Sequence, residues 1–128
     1  MKRLTLILVL GLFFIGAAQA QTQWYKATEF AIKFKGYEWS DWQPVSIAIE
    51  FDLDEDFITI YSNETQIYKI TGTLTPPYDS GGKQVKFRII DQDFDTGNLR
   101  LRIENNGNSQ IYIDFSDVSW VYNVVRTQ

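Results

Sequence analysis

Between Thr28 and Val124, apolar and polar residues alternate in one short run after another. Successive side chains of a β-strand point to opposite faces, so each run predicts a strand with one buried and one solvent-exposed face. No stretch of this region has a helical pattern long enough to compete. The predicted strands cover residues 24–35, 43–53, 57–62, 66–74, 84–90, 99–104, 110–115 and 118–125.

The alternation also predicts how neighbouring strands pair, because residues that face each other across two strands must point to the same side. Three turns can be tested in this way. The predicted pairs are Ile113 with Trp120 across a two-residue turn at Ser116-Asp117, Phe51 with Ile60 across a turn at Glu55-Asp56, and Ile103 with Ile111 across a three- or five-residue loop centred on Gly107.

Consecutive hairpins without a long crossover form an antiparallel meander. Eight such strands with one apolar face avoid exposed edges by closing into an up-and-down barrel. A two-sheet β-sandwich shows the same alternation and remains the alternative. In a barrel the loops alternate between the two ends, so Gly36–Pro44, Ser62–Thr65, Asp91–Asn98 and Ser116-Asp117 meet at one end. We expect that end to be the mouth.

The first twenty residues have the pattern of a cleaved secretory signal. Lys2 and Arg3 precede the apolar stretch Leu4–Ala17, and Ala18-Gln19-Ala20 supplies the small residues that a signal peptidase reads. The apolar stretch is shorter than the roughly twenty residues that span a bilayer. Cleavage there leaves residues 21–128 as one domain, predicted to be periplasmic or secreted. Export without any cysteine is typical of a bacterial periplasm or exterior, and it also excludes a lipoprotein anchor.

Composition narrows the possible functions. The chain has 12 basic and 16 acidic residues and loses two of the basic ones with the leader, so the mature domain is acidic. An acidic surface repels phosphates, and therefore neither nucleic acid nor an anionic membrane is a predicted partner. Histidine is absent, which removes the commonest general base and nearly every zinc site. We predict no enzyme activity, no catalytic residues, no cofactor and no metal.

Three short strings resemble small exported lipocalin-like (calycin-type) β-barrel proteins of unknown function from gut bacteria: Ile60-Tyr61-Ser62, Thr65-Gln66-Ile67-Tyr68 and Trp120-Val121-Tyr122. The resemblance covers the whole mature chain and implies a closed barrel. Lipocalins stack a tryptophan of the first strand on an arginine after the last strand, parts that Trp24 and Arg126 would take here. The usual glycine before that tryptophan is absent and the chain is short for a lipocalin, departures that concern the ligand cavity more than the barrel.

An aromatic loop is the main candidate for binding. The segment Tyr37-Glu38-Trp39-Ser40-Asp41-Trp42 places three large rings beside carboxylates, a combination that suits sugar rings and peptides. Alternatively, Trp39 and Trp42 fold over the barrel end as a plug. The candidate ligand-binding residues are Tyr37, Trp39, Asp41, Trp42 and, from a neighbouring loop, Phe94.

A second loop, Asp91–Gly97, resembles a calcium loop because oxygen ligands stand at every second position. An EF-hand needs glycine at its sixth position and glutamate at its twelfth, where this chain has Thr96 and Arg102. An ordinary acidic hairpin loop is therefore favoured.

Two functions remain open. The sequence favours an exported, non-catalytic binding module that captures a small ligand, a glycan fragment or a peptide at an aromatic mouth. The alternative is an inhibitor or accessory protein with a fully packed barrel, which contacts a partner or a second copy through the outer residues Tyr61, Ile67, Tyr112 and Val121. A hollow or a filled interior distinguishes the two.

Overall fold

The computed structural model describes residues 22–74, 82–104 and 108–128. Eight antiparallel strands follow one another, and β1 also pairs with β8, so the sheet closes into a barrel. The predicted barrel is thereby confirmed over the sandwich, and the predicted signal peptide lies outside the described residues. The strands are β1 Thr22–Phe34, β2 Gln43–Asp52, β3 Phe57–Ile60, β4 Gln66–Leu74, β5 Gly82–Ile90, β6 Thr96–Glu104, β7 Ser109–Asp114 and β8 Val118–Arg126.

The hairpin between β7 and β8 has the predicted register. Phe115 N donates to Val118 O at 2.9 Å, and Ile113 pairs with Trp120. The turn therefore contains only Ser116 and Asp117, and the apolar residues of both strands point to the same side.

The other two tested hairpins are displaced by two residues from their predicted register. Phe51 pairs with Ile58 instead of Ile60, and Ile103 pairs with Ser109 instead of Ile111. The odd loop length before β7 is confirmed, since Glu104 N donates to Asn108 O at 2.8 Å with three residues between them. A shift of two residues keeps inward residues inward, so the hydrophobic pattern alone does not separate the two registers.

Strand β1 contains a bulge that changes which of its residues face the interior. Its register with β2 and with β8 shifts between Ala27 and Glu29. Ala27 is fully buried before the bulge, and Phe30 faces inward after it, with its ring 5.5 Å from that of Tyr122. Thr28, which lies between these two residues, is exposed. A bulge adds one residue to a strand and resets the alternation.

Apolar side chains on the inner faces form the core. Phe51 packs edge-on against Tyr25 at 5.5 Å and tilted against Phe87 at 6.2 Å, near the end of the barrel that carries the first and last described residues. We call this end the terminal end. The largest fully buried side chains are Ile49, Phe51, Ile58, Ile60, Ile89, Leu99, Ile111, Ile113 and Tyr122.

The two ends of the described chain are joined at the terminal end. Trp24 N donates to Gln128 O at 3.1 Å, and Thr127 N donates to Trp24 O at 2.9 Å. The Arg126 guanidinium carbon lies 5.7 Å from the centre of the Tyr25 ring, and the Trp24 ring stacks on Tyr61. The resemblance to lipocalins implied a contact between Trp24 and Arg126 that these packing partners replace.

No helix capable of crossing a bilayer occurs in residues 22–74, 82–104 or 108–128.

Candidate functional site

A cavity of about 760 Å³ opens at the end of the barrel opposite the terminal end. We call this end the cavity end, and it is the end predicted to be the mouth. The volume falls within the range of about 300–1,000 Å³ that is typical of small-molecule sites. The wall combines inward side chains of four strands with one loop: Phe30, Ile32, Val45, Ile47, Tyr68, Trp120 and Tyr122, together with residues 61–64 and Gln66.

The cavity opens where the barrel wall is lowest. Strand β3 has only four residues and pairs with β2 only from Ile49 to Asp52, extended by the Tyr61 N hydrogen bond to Ala48 O at 2.9 Å. The first half of β2 therefore extends beyond the end of β3 and does not pair with it. Val45 and Ile47, on the inner face of that half, remain only partly buried.

A polar cluster lies on one side of this largely apolar cavity. The Tyr68 hydroxyl donates to Gln66 Oε1 at 2.6 Å, and Gln66 Nε2 donates to Ser62 Oγ at 3.0 Å and to the Tyr122 hydroxyl at 3.4 Å. Ser62 Oγ in turn donates to the carbonyl oxygen of Glu64 at 2.9 Å. The Gln66 Nε2 group thus connects β4 with β8, while its carbonyl oxygen holds Tyr68 of the same strand.

Two donor groups beside this cluster lie close to each other. The Trp120 Nε1 atom is enclosed by protein atoms and makes no hydrogen bond of good geometry, but its indole lies beside the Tyr122 hydroxyl and lowers the pKa of that phenol. The Tyr122 hydroxyl accepts from Gln66, but no described hydrogen bond uses its own proton. Both side chains lie on the inner face of β8, two positions apart, and border the same cavity.

The phenols of the cavity remain protonated at neutral pH. Burial raises the pKa of Tyr68, and the nearby Tyr122 and Asp91 act in the same direction. Burial also raises the pKa of Tyr122, against a smaller opposing effect of the Gln66 amide and the neighbouring Trp120 indole. Both side chains therefore act as neutral hydrogen-bonding groups in a poorly hydrated wall.

Trp120 is held in place by an aromatic stack. The Phe115 ring stacks on Trp120 with centroids 6.0 Å apart and tilts against Tyr68 at 6.2 Å. Phe115 in turn lies against Gly97, where an added Cβ would come within 2.5 Å of Asp114 O and 2.8 Å of the Phe115 ring. The missing side chain of Gly97 provides the space in which this stack forms.

None of the five ligand-binding residues predicted from the sequence lines the cavity. Tyr37 and Phe94 are 72% and 81% exposed in loops of the cavity end, and Asp41 is exposed as well. Phe94 has a φ of 67°, which places it in the left-handed region within a tight hairpin turn.

Trp39 and Trp42 neither plug the barrel nor border its mouth, because the loop after β1 folds back along the outer wall. Ser40 N donates to Ile32 O at 2.8 Å, and Ile32 N donates to Ser40 Oγ at 3.0 Å. The Trp39 ring then lies edge-on to Tyr112, 6.5 Å away on the outside of β7. Trp39 and Trp42 therefore lie outside the cavity lining, and ligand contact by either side chain stays a prediction.

The outer wall accommodates this loop because its side chains there are small. Ala31 and Val121 pair across β1 and β8, point outward, and are nevertheless 2% and 3% exposed. Trp42 borders a polar cleft on the outer wall, in which the side chains form hydrogen bonds with one another. Asn123 Nδ2 donates to Glu29 Oε1 at 2.9 Å, and Asn123 Oδ1 accepts from Gln110 Nε2 at 2.9 Å.

The outer residues predicted to form a partner or dimer face do not form one surface. Tyr61 and Ile67 belong to the β3–β4 side of the closed barrel, whereas Tyr112 and Val121 belong to β7 and β8 on the opposite side. Val121 is buried, and Tyr61 packs on Trp24. No described arrangement joins these four residues into a docking face.

The acidic loop between β5 and β6 is stabilised by its own first residue. Asp91 Oδ1 accepts from the backbone N–H groups of Asp93 and Asp95, both at 2.9 Å. Among the described residues, no group of three or more acidic side chains is placed to hold a metal ion. The geometry is that of a hairpin loop.

Comparison of the chain with protein-family models, with curated proteins and with solved structures found no match. The sequence held one signal for this site, namely Gln66, a polar residue that the alternation places on the same face as the inward-pointing Tyr68 and Ile70. The apolar lining gave no signal, because the same residue types also fill a closed core.

Proposed function

We propose that the protein is a non-catalytic binding module that takes up a small amphiphilic molecule in the cavity at the cavity end. The observation that carries this proposal is the largely apolar cavity of about 760 Å³ with the polar Gln66 cluster on one side of its wall. The polar end of such a ligand lies against Ser62 and Gln66, while its apolar part covers Phe30, Ile32 and Val45. Pockets with an apolar lining and a few convergent polar groups are the usual form of small-molecule sites.

The arrangement of polar groups favours binding over catalysis. The Ser62 hydroxyl donates to a backbone carbonyl and accepts from an amide, so no base activates it as a nucleophile. The Tyr68 and Tyr122 phenols have raised pKa values and remain protonated, so neither acts as a phenolate base. Glu64, the carboxylate at the border of the cavity, is exposed.

The test is the binding of a neutral fluorescent amphiphile, N-phenyl-1-naphthylamine, to the wild type and to Val45→Trp. Val45 is partly buried in the cavity wall, so an indole there fills space that the ligand needs. We expect wild-type binding to raise both probe fluorescence and the melting temperature. A ligand at a hundred times its Kd stabilises the folded state by about 2.7 kcal/mol. In Val45→Trp the affinity should fall at least about tenfold, a loss of about 1.4 kcal/mol.

Arg88→Trp is the matched control, because Arg88 is exposed on β5, away from the cavity lining. It should bind the probe as the wild type does. Absence of binding to the folded wild type contradicts the proposal, and so does equal binding by Val45→Trp and the wild type.

A further inference from the structure

The polar cleft on the outer wall of the barrel has the size and the side chains of a second binding site. Its volume is about 500 Å³, and it shares no lining residue with the cavity at the cavity end. Clefts of about 300–1,000 Å³ are typical of small-molecule sites. The lining combines one indole with carboxylate and amide groups: Trp42, Glu29, Glu104, Asn108, Gln110 and Asn123.

The bulge in β1 brings a carboxylate to this cleft. Ala27 is fully buried on the inner face, so in a regular strand Glu29, two positions later, would point inward as well. The register shift between these two residues resets the alternation, and Glu29 is exposed where it pairs with Asn123 of β8. Bulges often redirect a side chain in this way beside functional sites.

A chain of hydrogen bonds fixes the orientation of the polar side chains. The Tyr112 hydroxyl donates to Gln110 Oε1 at 3.0 Å, and Gln110 Nε2 donates to Asn123 Oδ1 at 2.9 Å. Asn123 Nδ2 then donates to Glu29 Oε1 at 2.9 Å. Each amide nitrogen has a second hydrogen and the carboxylate has a second oxygen, and no hydrogen bond among the described residues uses these groups. The cleft therefore presents two donors and one acceptor close together.

A neutral sugar ring matches this combination. A hydroxyl group both donates and accepts hydrogen bonds, so neighbouring hydroxyls of one ring can accept from the two amides and donate to Glu29. The C–H face of a pyranose is apolar and suits contact with an aromatic ring. The Trp42 ring borders the cleft and is 43% exposed, so part of its surface is available for such contact.

Charged ligands fit the cleft less well. The described lining contains Glu29 and Glu104 but neither lysine nor arginine, so an anion would be repelled without gaining a counter-ion. Arg102, which pairs with Gln110 across β6 and β7, donates its Nε hydrogen to Glu104 at 2.7 Å. An ammonium group only donates hydrogen bonds, so it would leave the amide hydrogens without an acceptor.

We propose that this outer cleft binds a neutral hexopyranose unit of a glycan. The C–H face of the sugar lies on Trp42, and its hydroxyl groups lie between Gln110, Asn123 and Glu29. Because the cleft and the cavity have no residue in common, this inference does not depend on the proposed function.

The experiment is an NMR titration of the protein with cellobiose and with lactose, which end in gluco- and galacto-configured rings. It follows the indole N–H of Trp42 and the side-chain amides of Gln110 and Asn123. We expect at least one disaccharide to shift all three signals to saturation without displacing N-phenyl-1-naphthylamine from the cavity. If neither disaccharide shifts them, the inference is overturned, and displacement of the probe would contradict a separate site. Shifts caused by Nα-acetyl-lysine methylamide, but by neither sugar, would assign the cleft to basic peptides instead.

Variants of the cleft test the roles of its residues. Trp42→Ala removes the aromatic surface and should weaken disaccharide binding at least about tenfold. Tyr37→Ala removes an exposed ring of the same loop that lies outside the cleft, so it should bind as the wild type does. Gln110→Ala provides a second variant in case Trp42→Ala does not fold, and the loss of its hydrogen bond should weaken binding by roughly fivefold. Unchanged disaccharide affinity in the folded cleft variants overturns the assignment.

Discussion

Gly97 is the residue on which the aromatic wall of the cavity depends. It lies near the start of β6, with the carbonyl oxygen of Asp114 and the ring of Phe115 directly above its Cα. Any side chain at this position collides with the backbone of β7, which has little freedom to move. Phe115 in turn stacks on Trp120, so a disturbance at Gly97 reaches the wall of the cavity.

We expect Gly97→Ala to lower the free energy of unfolding by about 1–3 kcal/mol, the usual cost of overpacking a close contact. Urea denaturation followed by circular dichroism measures the change. Gly72→Ala is the control, because the nearest atoms to an added Cβ there belong to Arg88 at 3.8 and 3.9 Å, an ordinary contact distance. Its stability should change by less than about 0.5 kcal/mol. Equal urea midpoints for the two variants would show that the close approach at Gly97 is relieved without cost.

For individual residues, the sequence predicted which side chains point inward better than it predicted their hydrogen-bond partners. The alternation placed Trp120 and Tyr122 on the inner face, as observed. It could not show that Gln66, on a distant strand, directs its amide toward the Tyr122 hydroxyl. The conspicuous rings of Tyr37 and Trp39 indicated an aromatic loop, but composition does not specify the side of the wall to which a loop folds.

The loop of residues 35–42 acts as an outer strap on the barrel. Gly36, with a φ of 86°, allows the turn in which Tyr37 N donates to Phe34 O at 2.9 Å. Pairing between β1 and β2 ends at Gln43. Ser40 therefore hydrogen-bonds with Ile32 at a position of β1 where β2 no longer pairs. The strap contributes no residue to the cavity lining, and Ala31 next to Ile32 is buried on the outer face.

Ser40→Ala should release the amide of Ile32. The variant removes the acceptor Oγ at 3.0 Å, a hydrogen bond of about 0.5–1.5 kcal/mol, so amide exchange at Ile32 should accelerate by up to about tenfold. Hydrogen exchange followed by NMR measures this rate. Ser116→Ala, at an exposed turn position, is the matched serine deletion and should leave the Ile32 amide unchanged. If Ile32 exchanges at the wild-type rate in Ser40→Ala, the strap is held by other contacts.

The sequence predicted the strands well and their registers unevenly. The β7–β8 turn was predictable because its two-residue length leaves one register that keeps Ile113 and Trp120 on the same side. The β2–β3 hairpin was not, since Phe51 faces an inward residue in either register and only the four-residue loop decides between them. The bulge at Ala27 was not predictable either, because β1 carries apolar residues at both odd and even positions there.

For the whole molecule, closure of the barrel places several tyrosine hydroxyls in a poorly hydrated interior. Burial raises the pKa of Tyr25, Tyr68 and Tyr122. Unfolded tyrosine ionises near pH 10. Above that pH the unfolded chain has lost protons that the folded barrel still holds, so the free energy of unfolding falls as the pH rises. The contribution of these phenols is complete below about pH 10 and disappears in the alkaline range.

We therefore expect the urea midpoint to fall steeply between about pH 9 and pH 11. Tyr68→Phe should show a shallower fall, whatever its stability at neutral pH, because one of the three buried phenols is gone. Tyr37→Phe removes an exposed phenol and should keep the wild-type slope. A Tyr68→Phe slope as steep as that of the wild type would show that Tyr68 does not contribute to alkaline unfolding.

The contrast between the two ends of the barrel bears on how the cavity can be altered. Tyr25, Phe51 and Phe87 close the terminal end, while Val45 and Ile47 stand partly free above the short strand β3. Substitutions at Val45 and Ile47 therefore reshape the cavity entrance and leave the aromatic packing of the terminal end intact.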